Sequence, residues 1–282
     1  MRNTLFILIV GSVIAGAAAS SAPAQMRSIL DSKHNLSAYG PGSVRASNET
    51  EICIFCHTPH NSSPIQPVWN RNVPVNAYTV YSSNSLVAKP GQPTGTSKLC
   101  LSCHDGSIAV GSVLSRDMPI AMAGGITTLP AGGTNLGTDL SDDHPISFRY
   151  DQTLASQNVK VKPPAQLPPT VKLDVRGEMQ CTSCHNPHDD SKGKFLVMEN
   201  TRSELCNACH QLGQKTAIAA HESCEACHQQ HSAPSGAHLL RGLTATDTCG
   251  TVRQGPPGVA AVRTLAIVGV FSFRRNVAHR IV

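Results

Sequence analysis

The chain has 282 residues and carries 23 Lys and Arg against 18 Asp and Glu, a formal net charge of +5. Hydrophobic residues make up 40% of it but aromatics only 4%, with 22 Gly and 19 Pro. A protein-only core for this length would need more large side chains. The positive charge does not point to nucleic acid. Arg2 opens the chain and Arg253, Arg263, Arg274, Arg275 and Arg280 close it, which leaves residues 25–245 balanced at 17 basic and 17 acidic. No basic stripe interleaved with aromatics appears.

Residues 1–24 read as a secretory signal. Arg2 is the charged start, Leu5 to Ala19 the apolar run, and Ala22-Pro23-Ala24 the cleavage site. The run is short and Ala/Gly-rich for a membrane span. The expectation is a periplasmic or extracellular protein with no transmembrane anchor after cleavage.

Five copies of Cys-x-x-Cys-His follow: Cys53, Cys56, His57; Cys100, Cys103, His104; Cys181, Cys184, His185; Cys206, Cys209, His210; and Cys224, Cys227, His228. Composition alone would supply about 0.02 such motifs. They consume ten of eleven cysteines, leaving Cys249. A disulfide framework or zinc knuckles would not need a His after every second Cys. The spacing is that of covalent haem attachment, in which two thiols form thioethers and the adjacent His binds the iron. The expected cofactor is haem c, five copies, covalently attached. Each ferric haem with ionised propionates adds about −1, so the loaded chain should be acidic between its ends.

Between the motifs the chain is turn-rich. Pro64, Pro67, Pro74 and Lys89-Pro90-Gly91-Gln92-Pro93 separate the first two, and the longer gap from Asp105 to Gln180 holds Gly124-Gly125, Gly132-Gly133 and Pro163-Pro164. The last three motifs are crowded, Cys181 to Cys206 spanning 25 residues and Cys206 to Cys224 only 18. The fold class expected is a multihaem cytochrome c: haem-cored, mostly irregular, with short α-helices around the motifs and little sheet. Its domain is residues 25–245. Ser203 and Ser223 are expected to cap short helices.

Eight histidines lie outside the motifs: 34, 60, 144, 188, 221, 231, 238 and 279. Three recur three residues after a motif His, namely His60, His188 and His231. A His so close to the proximal ligand cannot cross to the far face of the same porphyrin, so each should serve a neighbouring haem. His221, three residues before Cys224, is a further candidate. By spacing alone His34 and His144 are lone histidines in polar loops, His238 is undecided, and His279 is read as a surface residue. Met118, Met122, Met179 and Met198 compete as ligands but share no repeated placement. His/His ligation implies low potentials. The second and fourth motifs, headed by His104 and His210, lack the following His and are the candidates for an open iron on the reductase alternative.

The stretches Lys33 to Ser37, Cys53 to His60, Leu99 to Gly106, Asp143-His144-Pro145, Cys181 to His188 and Leu205 to His210 resemble the paired-CXXCH multihaem cytochromes c. That group includes extracellular electron-conducting cytochromes of metal-respiring bacteria. The resemblance implies bis-His haems and makes His34 and His144 distal ligands. It also implies that a His can cross between subunits, as in some related filaments.

Thr246-Asp247-Thr248-Cys249 has the look of a motif entry, yet residues 250–282 contain no Asp, Glu, Lys or Cys. Residues 246–282 are read either as a frameshifted remnant of a sixth haem site or as a genuine apolar tail. The functional expectation is electron transfer without catalytic residues, between exported redox proteins or to an extracellular acceptor. A multihaem reductase with one open haem and a subunit of a conductive homo-oligomer or filament are the alternatives.

Overall fold

A computed structural model of the protein describes residues 29–64, 66–211 and 223–254. The signal segment, His221, His279 and the chain beyond 254 lie outside the described residues. Regular structure is sparse. Helices α1 (Gly95–His104), α2 (Gln152–Gln157), α3 (Cys181–Cys184), α4 (Glu204–Cys209) and α5 (Ala245–Gln254) are joined by long irregular connections. Strand β1 (Thr79–Val80) runs parallel to β2 (Asp139–Leu140), and β3 (Phe148–Arg149) runs antiparallel to β4 (Glu178–Met179). This is the irregular, helix-poor and sheet-poor fold that the composition implies.

The helical turns gather on the motifs. The first and fifth open on 3-10 turns, Cys53–Phe55 and Cys224–Ala226, while α1, α3 and α4 carry the other three. A Cys-x-x-Cys spacing places both thiols on one side of a single turn. At the third and fourth motifs the backbone leaves the helix at the motif His, where His185 and His210 are extended.

Apolar packing is divided among small clusters. Phe148, Tyr150, Leu154, Val161 and Met179 form one and pack on Cys209; Ala46, Phe55, Val110 and Met122 form a second and pack on Cys56; Tyr78, Leu101 and Leu140 form a third. Each lies beside motif residues rather than around a common centre. That division follows from the shortage of large apolar residues.

A buried polar network locks α1 to α3. Gln180, 1% exposed, accepts from Ser97 Oγ at 2.6 Å and Ser147 Oγ at 3.1 Å, and donates to Asp174 at 3.0 Å. Gly95 enters α1 with φ +49° directly beside this amide, where a Cβ would stand 3.1 Å from Gln180 Nε2. Ser203 does not cap its own helix, in contrast to the expectation; its hydroxyl is spent on the fifth motif, as described below. Ser223 does accept from the Glu225 N–H.

Candidate haem sites

The first, third and fifth motifs are one structural module used three times. The motif histidines His57, His185 and His228 form isolated antiparallel bridges with Trp69, Leu196 and Leu240. On one side of each bridge Thr58, Asn186 and Gln229 donate to the carbonyls of Val68, Phe195 and Leu239. On the other, Asn70, Val197 and Arg241 donate to the carbonyls of Cys56, Cys184 and Cys227. Val68, Phe195 and Leu239 all have positive φ, 57°, 56° and 51°. The chain thus leaves each odd motif, turns back within about a dozen residues, and clamps the motif His.

The second and fourth motifs take distant partners instead. His104 O accepts from Leu136 N, while Cys209 O accepts from Lys162 N and Gln211 N donates to Lys160 O.

Successive motifs meet in two alternating ways. From even to odd, the leading thiols are neighbours, Cys100 with Cys181 and Cys206 with Cys224. A serine three residues before the even motif ties each junction. Ser97 Oγ accepts from Cys181 N at 3.0 Å, and Ser203 Oγ accepts from Cys224 N at 2.8 Å. From odd to even, the trailing thiols are neighbours, Cys56 with Cys103 and Cys184 with Cys209. The five thiol pairs therefore follow one another in space in the order of the sequence.

Four motif imidazoles each face a histidine from outside the motifs. Ring centroids are 5.9 Å apart for His57 and His188, 6.2 Å for His34 and His104, 6.3 Å for His144 and His210, and 6.2 Å for His185 and His231. Two metal–imidazole bonds of about 2 Å, with the ~1 Å from each ring nitrogen to its centroid, put trans ligands about 6 Å apart. The separations fit an iron between the rings. The angles fall into two groups: 25° and 38° at the odd motifs, 63° and 77° at the even ones.

The environment suits the neutral imidazole that binds metal. Loss of hydration pushes His144 down to about 4, and it holds His34, His104, His185 and His210 below the usual imidazole range. Backbone carbonyls orient five of the nine rings through Nδ1: Pro187 for His34, Thr134 for His104, Pro145 for His144, Lys194 for His185 and His238 for His228. His231 differs, because its Nδ1 faces the buried Asp143 carboxylate at 2.9 Å. An apolar hollow lined by Tyr81, Leu136, Leu140 and Ile146 lies against Cys181, His144 and His231. Buried Trp69 Nε1, beside the His57 ring, has no protein acceptor among the described residues. Apolar wall, paired imidazoles and adjacent thiols together fit a covalently held porphyrin.

Among the described residues no three His, Cys, Asp or Glu side chains converge to hold a bare metal ion, and the eleven cysteines are free thiols. His34, His144, His188 and His231 stand opposite motif histidines. His60 is exposed and faces no ring among the described residues, and His221 lies outside them. His104 and His210, the candidates for an open iron on the reductase alternative, both have facing rings, and His228 is the motif His without one among the described residues. What sequence reasoning missed is the buried Asp143 and Arg71, whose signal was only that each neighbours a functional stretch. Cys249 is exposed on α5.

A mostly irregular chain with short helices on five Cys-x-x-Cys pairs has motifs of the multihaem cytochrome c type, with about five c-type haem sites. Residues 174–215, which hold the third and fourth motifs, match the doubled CXXCH motif family. No curated protein was found to match the chain.

Proposed function

We propose that the protein is an exported multihaem cytochrome c that passes electrons between redox partners outside the cytoplasm. The observation that carries this reading is the facing of four motif imidazoles by four others at 5.9–6.3 Å. On this reading Cys53/Cys56, Cys100/Cys103, Cys181/Cys184, Cys206/Cys209 and Cys224/Cys227 anchor the haems. His57, His104, His185, His210 and His228 are proximal ligands, and His188, His34, His231 and His144 cap the first four in order. Bound haem supplies reversible one-electron chemistry. The polypeptide supplies covalent anchorage, ligation and spacing, and none of its residues is assigned as acid, base or nucleophile. Export is supported by the signal-like residues 1–24 and by the general location of c-type cytochromes. Among the described residues no helix is long and apolar enough to cross a membrane. Reduction of the purified protein under carbon monoxide tests the reading. A carrier leaves the first four irons unreactive; carbon monoxide binding at several of them would favour the reductase alternative.

A second reading, a subunit of a homopolymer, is favoured by one regularity. The third motif's His188 faces the first motif's His57, and the fifth motif's His231 faces the third motif's His185. Among the described residues the same register leaves His60 of the first motif with nothing to cap and His228 with no cap. On this reading His60 of one copy serves the fifth haem of another; within one chain the competitor is His221. His60→Ala should then abolish self-association measured by sedimentation and open one iron to carbon monoxide. An unchanged oligomeric state would reject the polymer.

A further inference from the structure

Arg71 is fully buried, 0% exposed, just after the bridge residue Trp69 in the first return loop. Its guanidinium has five N–H donors, and all are spent on neutral oxygens. Nε donates to Ser102 Oγ at 3.2 Å; Nη1 to the carbonyls of Val110 at 2.6 Å and Ser112 at 3.2 Å; Nη2 to those of Ser102 and Ala109, each at 3.0 Å. None of the ion pairs among the described residues includes it. Asp105, the buried acid of the second motif, is engaged by Tyr78 OH at 2.6 Å and by Ser107. Arg71 is bonded to Ser102, the neighbour of Cys103, and follows Asn70, whose N–H donates to Cys56 O, so its charge stands beside the trailing cysteines of the first two motifs.

Stapling loops does not require this charge, since neighbouring Asn70, equally buried, staples Ser115 with a neutral amide. Desolvating an unpaired guanidinium costs several kcal/mol. The repeated module supplies an internal control: the residues equivalent to Arg71 in the third and fifth motifs are Met198 and Gly242. Lys162, near Cys209 at the other odd-to-even junction, is only partly buried.

We infer that Arg71 is a tuning residue, a buried cation that makes the haems of the first two motifs the easiest in the chain to reduce. The physical basis is that an electron added there gains a fixed positive neighbour in a low-dielectric setting. The inference rests on the electron-transfer reading and gives the chain of sites a polarity, with its amino-terminal end as the sink.

The test is a redox titration of the full haem-loaded chain followed by electron paramagnetic resonance, signals being assigned by their loss in His34→Ala and His188→Ala. In Arg71→Met, at least one of the first two haems should lose about tenfold in its reduced-to-oxidised ratio at fixed potential, 59 mV for one electron. The fourth and fifth haems should change by less than about threefold, as should all five in Arg71→Lys. Unmoved potentials in a folded, low-spin Arg71→Met would leave Arg71 a staple and overturn the inference. If that variant does not mature, the wild-type order decides: the His34–His104 or His57–His188 signal must vanish first on reduction, and its vanishing last overturns the inference. Failure of the electron-transfer reading shows differently, as high-spin iron in the unaltered protein.

Discussion

The odd and even motifs carry the same five-residue signature but are built in opposite ways. An odd motif is a local object. Its loop returns within about a dozen residues, and the trailing His of the third and fifth motifs, His188 and His231, faces the preceding odd site, with ring planes at 25° and 38°. An even motif is a product of the tertiary fold. Leu136 pairs with the second and Lys160 to Lys162 with the fourth, and their facing histidines, His34 and His144, come from loops and stand crossed at 63° and 77°. The chain alternates a self-contained clamp with a site closed by remote segments.

The largest expected effect separates the two classes by stability. The third motif both lends His188 to the first and receives His231 from the fifth. Removing its haem with Cys181→Ala/Cys184→Ala should abolish the cooperative thermal transition. The same change at the fourth motif should leave a folded, less stable protein. Equal losses at both would break the distinction.

Next in size are the ligands themselves. His188→Ala should open the iron of the first motif, not that of its own. A carbon monoxide difference spectrum on top of loss of the near-parallel signal reports this, and loss of a crossed signal would contradict it. His34→Ala should do the reverse.

The serine ties come third. Ser97→Ala deprives Cys181 N and Gln180 of partners in a fully buried site and should cost about 1–3 kcal/mol in denaturant unfolding. Ser203→Ala, with the equivalent bond to Cys224, should cost a similar amount. The smallest change is electronic. Asp143 accepts from His231 and would strengthen it as a ligand to a bound ferric iron, so Asp143→Asn should raise the potential of the third site by roughly tens of millivolts. A fall would mean that the carboxylate acts otherwise.

This contrast also governs what could be read without the structure. The five motifs and the recurrent offset of His60, His188 and His231 are patterns in the chain, and so are the paucity of aromatics and the turn-rich linkers that imply an irregular fold. The partners of His104 and His210 were not legible by spacing, because contacts such as His34 with His104 bridge 70 residues through tertiary packing. Ser203 reads as a helix cap by local preference, but the fold spends its hydroxyl on Cys224. Arg71 looks like any loop arginine until burial removes its water and every donor is counted.

The most direct measurement is the electron paramagnetic resonance spectrum of the purified, fully loaded ferric protein. Near-parallel imidazole planes split the iron d orbitals and give rhombic low-spin signals, whereas crossed planes leave them nearly degenerate and give highly anisotropic ones. The result expected is two sites of each kind among the first four, the rhombic pair lost in His188→Ala and His231→Ala and the anisotropic pair in His34→Ala and His144→Ala. A single low-spin class, or high-spin iron at several motifs, would contradict the alternation.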